Sequence, residues 1–102
     1  MDWQPITSAQ LDDILRQEIE ALSPEDLTSF QVSAIPPAEQ PCYRNDQYGI
    51  ERVFVVVRAG ARLLFFDDVE DEFAIGIPDS DGVLREWSLC GSLADTIRLA
   101  TN

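Results

Sequence analysis

Two runs, Val53-Phe54-Val55-Val56-Val57 and Leu63-Leu64-Phe65-Phe66, are apolar at every position rather than at every second one. Neighbouring side chains along a strand point to opposite faces of the sheet. A strand with one wet face therefore alternates, and strands like these must be dry on both sides. Between them, Arg58-Ala59-Gly60-Ala61-Arg62 reads as a turn with Gly60 suited to a positive φ, which makes the pair a hairpin. The chain must cover this hairpin twice. The first helix supplies one cover. The other falls to the last helix, to the N-terminal segment around Trp3, or to another chain, so an internal helix on each side and a partner or homodimer surface are both open.

The helices are marked by their caps. Thr7-Ser8-Ala9-Gln10 fits a capping box, and Leu11, Ile14, Leu15, Ile19 and Leu22 then recur at helical spacing, with Asp12, Asp13, Arg16, Gln17 and Glu20 on the opposite face. Ser23-Pro24-Glu25-Asp26 starts a second helix, with Ser as N-cap, Pro at the first helical position and acids on the positive end of the dipole; Leu27 and Phe30 anchor it. Ser92-Leu93-Ala94-Asp95 caps a final helix through Ala100, with Leu93, Ile97 and Ala100 as its stripe.

Between the helices the pattern is that of strands. Phe30 to Ile35 alternates enough to admit a short one. Ile35 to Pro41 reads as a rigid connector, since its three prolines interrupt both helix and ladder, and Tyr43 to Gly49 as a polar turn or irregular edge. Four strands follow, Ile50–Arg58, Arg62–Asp68, Phe73–Ile77 and Val83–Leu89, with turns near Glu70 and at Pro78–Gly82. The expected architecture is α-α-β-β-β-β-α. It is an α+β domain spanning residues 1–102, a four-stranded antiparallel meander sheet with N-terminal helices and a C-terminal helix in two layers.

Charge narrows the partners. Nineteen acids against seven bases give a formal charge of −12, a field that repels nucleic acid and anionic membranes and attracts basic proteins and cations. All seven bases are Arg and there is no His, so the commonest general base and the commonest metal ligand are both missing. Serine or cysteine triads built on His, and lysine Schiff bases, are excluded, and no enzyme activity or cofactor is expected. The opening MDWQPITSAQ has neither the basic nor the apolar region of a signal peptide, which points to the cytoplasm. In that compartment Cys42 and Cys90 read as free thiols, and without His they make a poor zinc site.

The candidate functional stretch is Phe66-Asp67-Asp68-Val69-Glu70-Asp71-Glu72-Phe73, in which five of six residues between two phenylalanines are acids. Folding the first hairpin about Gly60 sets Arg52 opposite Asp68 and Arg58 opposite Arg62, shifted by one if Gly60 carries a bulge. The second turn sets Asp68 opposite Glu72. Three readings compete: a solvated turn with an Arg52 cross-strand pair, a docking surface for basic groups of a protein partner, and a divalent-cation site. Calcium accepts such oxygens, but the spacing of an EF-hand loop is absent here, and Asp79-Ser80-Asp81-Gly82 is a turn lacking the remaining ligands. As a docking surface, Asp67, Asp68, Glu70, Asp71 and Glu72 face Arg and Lys of the partner, with Phe66 and Phe73 as aromatic anchors.

The segment VFVVVRAGARLLFFDDVEDEFAIGIPDSDGVLREW, from Val53 to Trp87, resembles small acidic bacterial toxin-immunity proteins. The likeness covers about a third of the chain and rests on a hairpin ending in an acidic Asp-Asp-x-Glu turn, a short strand and an Asp-Gly turn. It implies a protein that binds and neutralises a cognate toxin, with a basic toxin domain as partner. The alternative is a self-associating structural or regulatory domain without catalytic activity.

Overall fold

The computed structural model describes residues 5–101, so Trp3, one expected cover for the hairpin, lies outside the described residues. The elements in chain order are α1 (Ser8–Glu20), α2 (Pro24–Ser33), β1 (Ala34–Asn45), β2 (Gly49–Ala59), β3 (Arg62–Asp67), β4 (Glu72–Pro78), β5 (Leu84–Gly91) and α3 (Leu93–Thr101). The five strands close into a barrel in the order β1-β2-β3-β4-β5, and the final contact, between β1 and β5, is parallel. The expected four-stranded open meander is therefore corrected to a closed five-stranded mixed barrel, α+β overall, with helices at both ends of the chain.

The missed element is β1, hidden by its prolines. Pro36 and Pro37 fall where the β1–β2 register slips between Ala34 and Ala38, a place where the ladder asks for no regular donor. Pro41 lies opposite Arg52 within the ladder. Its missing N–H is tolerated because β1 has a regular neighbour on one side only, its pairing with β5 being limited to Cys42–Leu84. Side chains complete that seam: the Gln40 amide donates to the Gly82 carbonyl, and the Trp87 indole donates to the Tyr43 carbonyl at 2.8 Å. Gly76 makes the closure possible, since a Cβ there would stand 2.8 Å from both Leu84 Cδ2 and Trp87 Cβ.

Closure explains the doubly dry hairpin. Val53, Val55, Leu63 and Phe65 point into the barrel with Cys42, Ala74 and Leu84, and Phe65 meets the Trp87 ring edge-on, centroids 5.5 Å apart. Val56, Val57, Leu64, Phe66 and Phe73 face outward beneath Leu11 and Leu15 of α1, Phe30 of α2, and Leu93 and Ile97 of α3. Two consecutive valines share the outer face because the β2–β3 register slips between Val55 and Val57. Burying each such side chain is worth about 1.5–3 kcal/mol. All three helices pack on this outer core, so the second cover is the sheet itself, where the sequence pointed to a second helix layer or another chain.

The helix ends follow the sequence closely. Thr7 accepts from the Gln10 N–H at 3.1 Å while the Gln10 side chain accepts from the Thr7 N–H at 2.9 Å, the reciprocal pair of a capping box. Ser23 caps α2 and Ser92 caps α3 through the Asp26 and Asp95 amides. Glu18 of α1 accepts from the Leu93 N–H at 3.0 Å, placing a carboxylate on the positive end of α3. On the far side of that helix Arg62 donates to the Leu99 carbonyl.

Candidate protein-binding site

Period-two alternation carries the barrel interior past its apolar layers into a polar one. Arg44 lies two residues beyond Cys42, Glu51 two before Val53, and Asp67 two beyond Phe65, so all three extend inward-facing rows. They meet at the barrel mouth. Arg44 Nε donates to Glu51 at 2.8 Å, Nη1 to Asp67 at 2.7 Å and Nη2 to Asp68 at 3.1 Å. The side chains of Arg44, Asp67 and Asp68 are 6 %, 1 % and 7 % exposed. Asp67 Oδ1 also accepts from the Val69 N–H, and Asp68 Oδ2 from the Ile6 N–H at 2.8 Å, which ties the N-terminal segment to the turn. Burial alone lowers the pKa of Arg44, but the hydrogen bonds and charges of Asp67 and Glu51 outweigh it and hold the guanidinium above its ordinary value. Among the described residues no buried side-chain nitrogen or oxygen lacks a partner.

This cluster divides the acidic stretch. Asp67 is buried and Asp68 half-buried, and each carboxylate is engaged by Arg44 and by a backbone amide, so both are committed within the fold. The expected Arg52–Asp68 pair does not form: the β2–β3 ladder begins at Phe54–Phe66, and Arg52 instead reaches Glu39 at 2.6 Å on the surface. The turn is centred between Gly60 and Ala61, which sets Arg58 opposite Leu63 rather than Arg62, and the second hairpin pairs Asp67, not Asp68, with Glu72. Glu70 and Asp71 are exposed and Glu72 is half-buried. Asp71 adopts φ 56°, a left-handed conformation that Asp tolerates and that closes the turn. Phe66 and Phe73 are 3 % and 2 % exposed and pack edge-to-face at 5.1 Å, so they belong to the core and are not free anchors.

What the outer acids border is a groove. Between α1, the β3–β4 turn and the β5–α3 junction lies a depression of about 540 Å³, walled by Glu18, Asp71 and Glu72, with Phe66 and Phe73 as its floor. A second depression of about 400 Å³ continues it toward Gln10, Asp13 and Asp68, and Ile14 and Asp71 line both. No arginine lines either part among the described residues. No group of three or more His, Cys, Asp or Glu among the described residues is arranged to hold a metal ion.

Arg44 and Glu51 escape the sequence reading because Tyr43 to Gly49 reads as a polar turn or irregular edge, which gives Arg44 no fixed strand phase. The signal was present on the other strands. Glu51 and Asp67 keep the phase of Val53 and Phe65, and two inward acids require a cation. Both thiols are free: Cys42 sits in the barrel, where burial pushes its thiol up to about 11, and half-buried Cys90 is raised by the same cause. Asp26 of α2 binds Arg98 of α3 at 2.8 Å, and that hydrogen bond holds its carboxyl below the usual range. No helix among the described residues is long and apolar enough to cross a membrane.

No protein-family model, curated protein or solved structure matches the chain.

Proposed function

We propose that this chain is a binding protein of the immunity type, which neutralises a cognate toxin by seating basic side chains of a cytoplasmic partner in the acidic groove between α1 and the β3–β4 turn. The observation that carries the reading is that groove: Glu18, Asp71 and Glu72 stand around half-buried Ile14, Asp13, paired with Arg16 at 3.5 Å, extends the wall, and no arginine lines it among the described residues. An Arg or Lys stem packs on apolar surface while its head meets carboxylates, which is the chemistry these walls offer. The net charge of −12 adds long-range attraction and speeds encounter with a basic surface. The absence of His and Lys favours binding over catalysis.

The test is kinetic. With a partner isolated on the tagged protein at low salt, association is measured for the native chain and for Glu70→Gln, Asp71→Asn and Glu72→Gln combined. The reading requires slower association by about tenfold or more, with a shallower salt dependence. An unchanged on-rate overturns it.

A further inference from the structure

The barrel wall has a gap. The β1–β5 ladder pairs at Cys42–Leu84 alone, after which β1 runs out at Asn45 while β5 continues to Gly91. The last link across the seam is the Trp87 indole on the Tyr43 carbonyl, a side chain standing where a ladder bond would be. Beyond it β5 has β4 on one side and, among the described residues, no strand on the other. Leu89 shows the consequence. It lies opposite Ala74, which is fully buried in the barrel interior, and so points to that same face, yet it is 41 % exposed. The stagger leaves β1 a matching free stretch before Cys42, but that one carries Pro36, Pro37 and Pro41, which blunt an edge against pairing. The β5 edge has no proline. The free part runs from Ser88 to Gly91, past the end of β1.

We infer that the free edge of β5 at Ser88–Gly91 takes an extended, basic strand of a protein partner, which continues the barrel wall and covers Leu89 with an apolar side chain. Alternate backbone groups of the edge supply the hydrogen bonds, and Leu89 sets the register. The charge follows from the surroundings. Glu86 is exposed on the strand, and the carboxylates of Glu72 and Asp95 flank Gly91 at its end, where the edge runs into the acidic groove. Arg85 is engaged, bound to Asp79 at 3.1 Å and set over the Tyr43 ring. A second copy, carrying the same acids and a charge of −12, is repelled from this edge. The basic character of the strand rests on the reading of the groove; its extended form rests on the gap alone.

Amide hydrogen exchange separates the two. The probe is a peptide of about nine residues alternating Arg and Val, compared with one of identical side chains whose alternate backbone nitrogens are methylated, each at roughly 50 mM salt. Alternate amides within Ser88–Gly91 should gain about tenfold protection or more with the first peptide and none with the second. Glu86→Lys, a surface change that leaves the fold intact, should weaken the first peptide severalfold. Equal binding of both peptides, confined to Asp13, Asp71 and Glu72, overturns strand addition while the groove stands. Protection at β5 by an alternating Ser and Val peptide equal to that with Arg keeps the strand and removes the basic partner. Binding of none of the three overturns both, and concentration-dependent protection of β5 without peptide assigns the edge to a second copy and overturns the proposal.

Discussion

Asp67 and Asp68 stand within four residues of Glu70 and Asp71 in the chain, yet they live in different media. The first pair lies at the barrel mouth, almost out of contact with water, held by one guanidinium and two backbone amides. The second pair is on the surface beside a groove with no cation lining it among the described residues. The turn between them converts inward to outward within a few residues. An acidic run is therefore not one feature: strand phase decides which acids hold the fold together and which are free to meet something else.

Removing Arg44 tests that division most severely. Arg44→Met leaves Asp67 and Asp68 buried without their cation and should cost about 3–5 kcal/mol. At about 4–8 °C per kcal/mol, the melting temperature falls by well over ten degrees or the chain does not fold. Arg52→Met, which breaks the exposed pair with Glu39, should cost at most about 1 kcal/mol. Urea melts of the two variants decide the matter, and equal costs break the comparison.

Asp67→Asn is the next test. It removes one charge and weakens bonds to the Arg44 guanidinium and the Val69 amide, for an expected loss of about 1.5–3 kcal/mol in the same melts. Asp71→Asn keeps a residue that accepts the left-handed conformation and should change stability by about 0.5 kcal/mol or less.

Cys42 reports on whether the inner layer is dry. Its thiol stays neutral in the fold to about 11, whereas in the unfolded chain it ionises near the ordinary 9.0. A raised acid pKa in the native state leaves stability untouched below pH 9 and removes it as pH climbs toward 11. The loss from this group is on the order of 2–3 kcal/mol, seen as a slope that Cys42→Ala lacks. A native chain with no such slope has water at Cys42, and the contrast between the two halves of the acidic run weakens.

How much of this was legible depends on range. Caps and stripes are local, and Thr7, Gln10, Ser23 and Ser92 act where the sequence put them. The β2–β3 hairpin and its demand for two dry faces were legible as well. The way that demand is met was not, because closure depends on Gly76 admitting β5 and on a proline-bearing β1 pairing from far along the chain. A rule that prolines break ladders holds for central strands and misleads at a seam. The site inherited the same error. With Ile35 to Pro41 reading as a connector and Tyr43 to Gly49 as a turn or irregular edge, Arg44 has no phase, and the cross-strand partner expected for Asp68 is Arg52.

The smallest expected effect on stability bears most on function. Neutralising Glu70, Asp71 and Glu72 together removes three charges from the outer half, and none of the three is bonded to Arg44. Like charges crowded on a turn repel, each close pair by a few tenths of a kcal/mol in salt, so their loss should leave the melting temperature unchanged or slightly raised. A fold that needed these acids would lose stability instead, and the outer half would then be structural like the inner. On the proposed function these acids serve association with a basic partner rather than the fold. The same triple variant, measured by thermal melt and by on-rate, must therefore separate stability from binding. Asp67→Asn should move the first, and the triple variant the second.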